Sequence, residues 1–339
     1  MNPIRVAVVG LNFGSWMIEH ELLSSAATPY VSIQAVCDLQ ESKAKMWGEK
    51  LQVPYYTNLY DLLQQTDIEA IALFTGPIGR AALIHAILDA GKHVMTTKPF
   101  ESDHEQARQV LHKARTLGKV IHVNSPSPIL SPDLQKVKDW IDQYELGQPL
   151  AFRAETTCSY REQPDGSWYD NSELCPVAPI TRLGIYLIHD MIRFFGDIAD
   201  VHVQQSRLFT QRPTVDHAQL SLRFTNGALG HIFASFCIDD QQYYKAAFTM
   251  NFERGTIYRN MTPMNQFQQK KQNELILIAT KDGVQYTESY STPIQQGYQW
   301  QVFYEVVRGL RSDDYEVHEQ IVTGIRCLEM MKQASEVHR

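Results

Sequence analysis

The sequence has 339 residues, of which 44% are hydrophobic and 20% charged, and this length and balance predict about two globular domains. Its formal net charge of −7 at pH 7 gives no indication of the basic surface that binding to nucleic acids or anionic membranes requires. Because no stretch approaches the roughly 18 consecutive apolar residues of a transmembrane helix, we expect no membrane-spanning segment.

The first predicted elements are a strand, a glycine turn and a helix. Ile4–Val9 is a nearly continuous apolar run rich in β-branched residues, which indicates a strand buried on both faces of a parallel sheet. A helical pattern follows at Ser15–Leu23. In this context a G-x-G-x-x-G fingerprint forms a tight turn that binds the pyrophosphate of a dinucleotide. The turn residues that we assign to cofactor binding are Gly10, Asn12, Phe13 and Gly14, with Asn12 and Ser15 at the second and third glycine positions.

A second apolar run, Val31–Cys37, predicts the next buried strand, and Asp38 stands at its end. In a dinucleotide-binding fold, an acidic residue about 20 residues beyond the glycine turn accepts hydrogen bonds from the adenosine ribose. Asp38 lies near that spacing, and its carboxylate would repel a 2′-phosphate, which favours NAD over NADP. Alternatively, Asp38 is a solvated turn residue, as aspartate often is.

Strands and helices continue to alternate as far as residue 123, which predicts a parallel sheet built from βαβ units. The predicted helices are Ser42–Leu51, Leu59–Gln64, Ala81–Ala90 and Glu105–Leu117, and the predicted strands are Ala70–Phe74, His93–Thr96 and Lys119–Val123. Ligands of such sheets bind beyond the carboxyl ends of the strands, where Thr75 and Lys98 both fall. Lys98 can donate a hydrogen bond to a substrate hydroxyl or carbonyl; the alternative is an ordinary exposed loop lysine.

The stretch Ala82–Phe100, ALIHAILDAGKHVMTTKPF, resembles the glucose–fructose oxidoreductase/inositol dehydrogenase (Gfo/Idh/MocA) family. Members typically read A-L-x-A-G-K-H-V-x-x-E-K-P there, and the similarity covers nearly the whole chain. The resemblance implies a Rossmann domain followed by an α+β domain with a mostly antiparallel open sheet. It also implies that Lys98 is the active-site lysine, Asp38 the ribose ligand and Gly10 the first fingerprint glycine. Thr97 departs from the pattern, because the family has a glutamate there.

The second half of the chain predicts a different architecture. Prolines beyond residue 123 mark a boundary, so we predict a dinucleotide-binding domain at 1–123 and a substrate-binding and oligomerisation domain at 124–339. Strand-like runs are joined by Asn226-Gly227 and Asp282-Gly283, which are strong hairpin markers. This pattern indicates an antiparallel sheet with helices on one face. Since Leu220–Phe224 and Leu229–Phe236 carry apolar residues on both faces, we expect a homodimer or homotetramer paired through this sheet.

A helix predicted at Ile180–Phe195 brings four residues with ionisable side chains into one narrow arc. At 100° per residue these are Arg182, Tyr186, His189 and Arg193. A polar stripe is usually a solvated face, but this one contains no acidic or amide residue.

The family motif in this helix reads D-x-G-x-H-x-x-D, and Gly184 aligns it with this chain. Tyr186 then falls at the family histidine, as it does in glucose–fructose oxidoreductases, and His189 falls at the last aspartate. Arg182 replaces the first aspartate, and this reversal of charge predicts recruitment of an anionic substrate such as a sugar acid. In the polar segment before the helix, Trp168 could stack on a sugar ring; the alternative is a surface loop fixed by its own aromatic residues.

These features predict an NAD(P)-dependent oxidoreductase that acts on a sugar, polyol or sugar-acid derivative. Tyr186 is the preferred acid/base, since a neighbouring Lys98 ammonium would favour its phenolate, and His189 is the alternative. Four motif positions are altered, namely Asn12, Thr97, Arg182 and Tyr186, and they leave open a protein that binds the cofactor without redox turnover. Because some members of the family use bound NAD for glycoside cleavage, an NAD-assisted glycoside hydrolase is a further alternative. The spacing of cysteines and histidines predicts free thiols, no bound metal and a cytoplasmic location.

Overall fold

The computed structural model describes residues 2–239, 244–261, 272–295 and 297–336. Its strands are β1 (Ile4–Val9), β2 (Val31–Cys37), β3 (Tyr55–Tyr56), β4 (Ala70–Leu73), β5 (His93–Thr96), β6 (Ile121–Val123), β7 (Pro149–Thr157), β8 (Ile198–Ser206), β9 (His217–Phe224), β10 (Leu229–Ser235), β11 (Lys245–Phe252), β12 (Gly255–Arg259), β13 (Gln272–Lys281) and β14 (Val284–Pro293). Its helices are α1 (Phe13–Met17), α2 (Glu41–Leu51), α3 (Leu59–Leu63), α4 (Arg80–Asp89), α5 (His104–Thr116), α6 (Pro132–Gln143), α7 (Ile185–Phe195), α8 (Trp300–Val307) and α9 (Tyr315–Glu336). π-Helical turns lie at Ile18–Leu22 and Ile180–Gly184.

The chain divides into two compact units. The first comprises Met1–Ile129 and Gly297–Ile325, and the second comprises Leu130–Gln296 and Arg326–Arg339. The division predicted at residue 123 leaves 297–325 in the C-terminal domain, whereas the structure groups this segment with the first unit. The reason is apolar packing, because α8 buries Trp300 and Phe303 in the same core as β1.

The first unit is a Rossmann fold, as the sequence predicts. Its sheet has the strand order β3-β2-β1-β4-β5-β6, and all of its pairs are parallel. Alternate residues of one strand feed the cores on opposite faces: in β1, Ala7 and Val9 enter one core while Val6 and Val8 enter the other. The strand order reverses between β1 and β4, and ligands of such sheets bind at that switch point.

The second unit is built on an eight-stranded sheet in the order β14-β13-β12-β11-β7-β10-β9-β8. Only β7 and β10 pair in parallel among its described strands, which confirms the predicted mostly antiparallel sheet. The helices α6 and α7 contribute Trp140 and Ile188 to the core on one face. At Gly230 of β10 an added Cβ would lie 2.2 Å from the Phe152 ring, so this ring packs over the glycine in the space that a side chain would take.

Both predicted hairpin turns are present. Asp282 and Gly283 have φ angles of 53° and 74°, the positive pair that a type I′ turn requires, and they join β13 to β14. Asn226 and Gly227 join β9 to β10, and the Asn226 side-chain oxygen accepts a hydrogen bond from the Ala228 N–H. Within the described ranges, no helix combines the length and the apolar character needed to cross a membrane.

Candidate active site

The glycine turn after β1 is closed by backbone contacts that only glycine permits. Gly10 has a φ of +86°, and an added Cβ would lie 3.0 Å from the backbone of both Phe74 and Thr75. Gly14 is buried, and its Cβ would lie 3.2 Å from the Val8 side chain. Gly14 therefore allows the close helix–strand packing that the third fingerprint glycine normally provides. This explains how the turn accommodates serine at the third position.

Asp38 is tied to the glycine turn at the end of β2. One carboxylate oxygen accepts the Leu11 N–H at 2.7 Å and the other accepts the Gln40 N–H at 2.9 Å. The carboxylate is thus fixed beside the turn and remains half-exposed. This position and this acceptor chemistry fit the ribose hydroxyls of a dinucleotide. The residues present therefore fit a nicotinamide dinucleotide at this edge of the sheet.

Asn12 and Phe13, the other assigned residues of the turn, are both exposed. Asn12 has a φ of −70°, so the positive φ that a fingerprint glycine can adopt is not used at this position. Its side-chain oxygen accepts a hydrogen bond from the ammonium of Lys43. The Phe13 ring stacks on Trp16 at 5.8 Å and meets Phe74 edge-on at 5.7 Å. This aromatic packing fixes the direction in which the chain leaves the turn.

Lys98 lies in the loop directly after β5, at the carboxyl edge of the sheet. Its backbone N–H donates to the side-chain oxygen of Asn124 at 3.0 Å, which anchors the loop to the end of β6. Lys98 itself is half-buried, whereas Thr97 before it is buried. The family glutamate at the Thr97 position is therefore replaced by a small residue packed beneath the loop.

Arg80 organises the two loops that carry Thr75 and Lys98, and sequence reasoning missed it. Its guanidinium is only 1% exposed and donates hydrogen bonds to the backbone carbonyls of Thr75, Thr97, Pro99 and Phe100. A cation in the first turn of a helix opposes the helix dipole. Arg80 begins α4, so this unfavourable placement was an available sign of a special role.

The four residues of the predicted polar stripe have very different surroundings in the second unit. Tyr186 is 38% exposed, whereas Arg182 and His189 are 7% and 3% exposed. Arg182 lies in the π-helical turn that precedes α7, and the other three lie on α7 itself. The stripe is therefore not a uniformly solvated face, and Tyr186 is its most accessible member.

Arg182 is held inside the second unit by a carboxylate and by aromatic rings. Its guanidinium forms two hydrogen bonds to Glu162, at 2.6 and 2.8 Å, and lies 3.9 Å from the centre of the Tyr169 ring. Burial acts to raise the pKa of Glu162, but hydrogen bonds and charges from Arg182 and Arg212 outweigh it and hold that pKa below its ordinary value. The sequence predicted a cation that recruits an anionic substrate, whereas the structure pairs this cation with a carboxylate of its own chain.

Arg212 extends this ion-pair network to the segment that contains Trp168. It donates to Glu162, Asp165 and Asp170 at 2.8, 2.9 and 2.5 Å. Trp168 begins a short 3₁₀ turn, and its ring lies 4.5 Å from that of Tyr169. The segment is thus fixed by ion pairs and aromatic packing, and Trp168 remains half-exposed at its surface.

A cluster of potential metal ligands lies elsewhere in the second unit. Ligand atoms of Asp216, His217 and Cys237 come within 4.8 Å of one another. The Asp216 carboxylate accepts the N–H groups of a backbone turn, including that of Thr210 at 2.8 Å. Burial, followed by the charge of Asp216, raises the pKa of the Cys237 thiol to about 11. These contacts give the cluster a structural role in shaping the turn before β9.

Comparison with known proteins assigns a family model to each part of the chain. Residues 4–125 match the model described as oxidoreductase family, NAD-binding Rossmann fold. Residues 134–258 match the GFO/IDH/MocA C-terminal domain.

Individual relatives and structures agree with these family models. An uncharacterised oxidoreductase of Bacillus subtilis is 26% identical over 60% of this chain and 60% of its own length. The dTDP-3,4-didehydro-2,6-dideoxy-alpha-D-glucose 3-reductase of Actinomadura kijaniata is 28% identical over 65% of this chain and 68% of its own. The crystal structure of a putative NADPH-dependent oxidoreductase from Desulfitobacterium hafniense superimposes with a TM-score of 0.77 at 16% identity, covering 100% of this chain and 97% of that one. The last likeness concerns the fold alone.

Proposed function

Because the chain belongs to the GFO/IDH/MocA family of oxidoreductases, we propose that it transfers a hydride between a nicotinamide dinucleotide and a carbinol carbon of a sugar, polyol or related compound. The observation that carries this proposal is the position of Lys98. It follows β5 at the carboxyl edge of the Rossmann sheet, in a loop held by Asn124 and by the buried guanidinium of Arg80. A loop fixed in this way can present one ammonium in a constant position to a bound substrate.

The residues proposed to hold the cofactor are Gly10, Asn12, Phe13, Gly14, Asp38, Thr75 and Lys98. When bound, the nicotinamide supplies the hydride acceptor or donor. The Asp38 carboxylate, fixed by the Leu11 and Gln40 N–H groups, accepts hydrogen bonds from ribose hydroxyls and repels a 2′-phosphate. NAD is therefore the proposed cofactor in preference to NADP.

The proposed acid/base is Tyr186. Its side chain is 38% exposed on α7, whereas His189 one turn later is 3% exposed, so the phenol is far more accessible to a substrate hydroxyl. Lys98 donates a hydrogen bond to the reacting oxygen, and Tyr186 accepts or returns the hydroxyl proton. His189 is then a buried residue of α7 whose removal affects packing more than proton transfer.

The proposed substrate is recognised through hydroxyl groups, because the charge of Arg182 is balanced by Glu162. The relative from Actinomadura kijaniata is named for the reduction of a dTDP-linked sugar, which supports a carbohydrate-type substrate. Trp168, half-exposed beside Tyr169, offers an aromatic face on which the apolar side of a sugar ring can stack.

Assembly and location belong to the same proposal. In β13, alternate residues are buried and exposed, and the exposed ones include Ile276 and Ile278 at 37% and 44%. An apolar sheet face of this kind supports pairing with a second copy. The five cysteines are free and buried. Free thiols are typical of proteins in the reducing cytoplasm, which supports the proposed location there.

The experiment that tests the proposal is a dehydrogenase screen of neutral sugars, polyols and sugar acids with NAD and NADP, followed by the absorbance of the reduced cofactor. We expect turnover of a neutral sugar or polyol with NAD, and we expect Asp38→Ala to weaken NAD binding and relax the discrimination against NADP. Tighter binding of NADP than of NAD to the unmutated protein would contradict the cofactor assignment. Glycoside cleavage without net NADH formation would instead favour an NAD-assisted hydrolase.

A further inference from the structure

The glycine turn lacks one feature that normally helps a Rossmann fold to bind a pyrophosphate. Asn12 occupies the second fingerprint position, where glycine lets the backbone approach the phosphates. Asn12 is exposed and has a φ of −70°. A cationic side chain beside the turn can compensate for the weaker backbone approach.

Lys43 is placed to supply that charge. It lies in the first turn of α2, 31 residues beyond Asn12, and its ammonium donates a hydrogen bond to the side-chain oxygen of Asn12. Lys43 is half-buried, whereas its neighbours Ser42 and Lys45 are exposed. The side chain is thus folded back from α2 onto the glycine turn.

The pairing of Lys43 differs from that of the other lysines on this helix. Lys45 lies 4.0 Å from Glu49, and Lys50 lies 2.6 Å from Glu19, so each has a carboxylate partner. Lys43 contacts a neutral amide and forms no ion pair within the part of the chain that the structure describes. An ammonium has three donors, and the contact with Asn12 uses one of them.

We propose that Lys43 is a ligand of the cofactor pyrophosphate and compensates for the close backbone approach that a glycine at the second fingerprint position would allow. This inference rests on the proposed function, because it concerns the same dinucleotide site. Asn12 holds the ammonium beside the turn, and the two remaining donors bind phosphate oxygens. The chain thereby retains a pyrophosphate site although its fingerprint is incomplete.

The test is a set of binding titrations that need no substrate. The dissociation constants of NADH and NADPH are measured by fluorescence, and that of ADP-ribose by calorimetry, for the unmutated protein, Lys43→Met, Lys43→Arg and the control Lys45→Met. Since a charge-assisted hydrogen bond to phosphate is lost, Lys43→Met should weaken all three ligands by a similar factor of about 10 to 100. Lys43→Arg should retain most of the affinity, and Lys45→Met should stay within about twofold of the unmutated protein.

The outcomes separate this inference from the proposed function. If the unmutated protein binds neither dinucleotide, the proposed function fails and the pyrophosphate assignment fails with it. If the protein binds them and Lys43→Met binds equally well, the assignment of Lys43 alone is overturned. A loss confined to NADPH would also overturn it, because Lys43 would then bind the 2′-phosphate. In an Asn12→Gly background the cost of Lys43→Met should be smaller, since the backbone can then approach the phosphates.

Discussion

Replacing Arg80 by methionine should destabilise the first unit strongly, because one buried guanidinium serves four backbone carbonyls. Its hydrogen bonds to Thr97 and Phe100 measure 2.6 and 3.1 Å, and it also bonds to Thr75 and Pro99. Each buried polar group left without a partner costs about 1–3 kcal/mol, so the gross loss is roughly 4–12 kcal/mol. Removing a buried charge returns several kcal/mol of desolvation cost. We therefore expect a net destabilisation of about 3 kcal/mol.

The assay is thermal unfolding followed by circular dichroism, with dinucleotide protection identifying the transition of the first unit. A loss of about 3 kcal/mol corresponds to a fall in Tm of roughly 6–12 °C for a domain of this size. Arg80→Lys keeps the charge with fewer hydrogen-bond donors, and its Tm should lie between those of the unmutated protein and Arg80→Met. Arg108→Met is the matched control on α5, because its side chain is 47% exposed and pairs with Glu105 on the surface. A Tm for Arg80→Met within about 1 °C of that of the unmutated protein would refute the stabilising role of the Arg80 hydrogen bonds.

Three further predictions concern pH, the ion-pair network and assembly. Burial lowers the pKa of His93 from 6.5 to about 4, so the unfolded state binds a proton at a higher pH than the folded state does. The free energy of unfolding should therefore fall as the pH drops from about 6.5 to about 4. His93→Gln should flatten that slope in urea titrations. Glu162→Gln removes the carboxylate shared by two buried arginines and should cost about 2–4 kcal/mol and speed proteolysis of residues 160–175, whereas exposed Glu145→Gln should not. Ile278→Lys on the open sheet face should convert the proposed oligomer to monomers in light scattering; a monomeric parent would contradict the interface.

The local features of the fold could be predicted from the sequence. The strands at Ile4–Val9, Val31–Cys37 and His93–Thr96 are short apolar runs bounded by turn residues, and the structure has them at the predicted bounds. Their signal is local, because a strand buried on both faces consists almost entirely of apolar residues. By contrast, β7 (Pro149–Thr157) and β11 (Lys245–Phe252) were not predicted. Neither stretch is marked by a turn signal of the Asn-Gly type, and the positions of both strands depend on pairing with segments that are distant in sequence.

The candidate site shows the same division. The positions of Gly10, Asp38 and Lys98 at strand ends follow from the alternation of elements and from the family resemblance. The contacts of Arg80 and Lys43 could not be predicted, because a helical pattern does not indicate which groups a long cationic side chain will reach. For Arg80, only its unfavourable position in the first turn of α4 gave a sign of a special role. Arg182 pairs with Glu162 through a segment of irregular structure, where no periodicity indicates which side chains meet.

The measurement that tests the central claim most directly compares turnover with cofactor affinity for Lys98→Ala and Tyr186→Phe on a substrate found by the screen. Removal of a general acid or base typically costs about 10²–10⁴-fold in rate. We therefore expect each variant to lose at least that order in kcat while its dissociation constant for NAD stays nearly unchanged. His189→Ala should lose less, and the double variant should lose much less than the product of the single losses. Single variants that turn over like the unmutated protein, or tight NAD binding without any oxidised or reduced substrate, would contradict the proposed oxidoreductase.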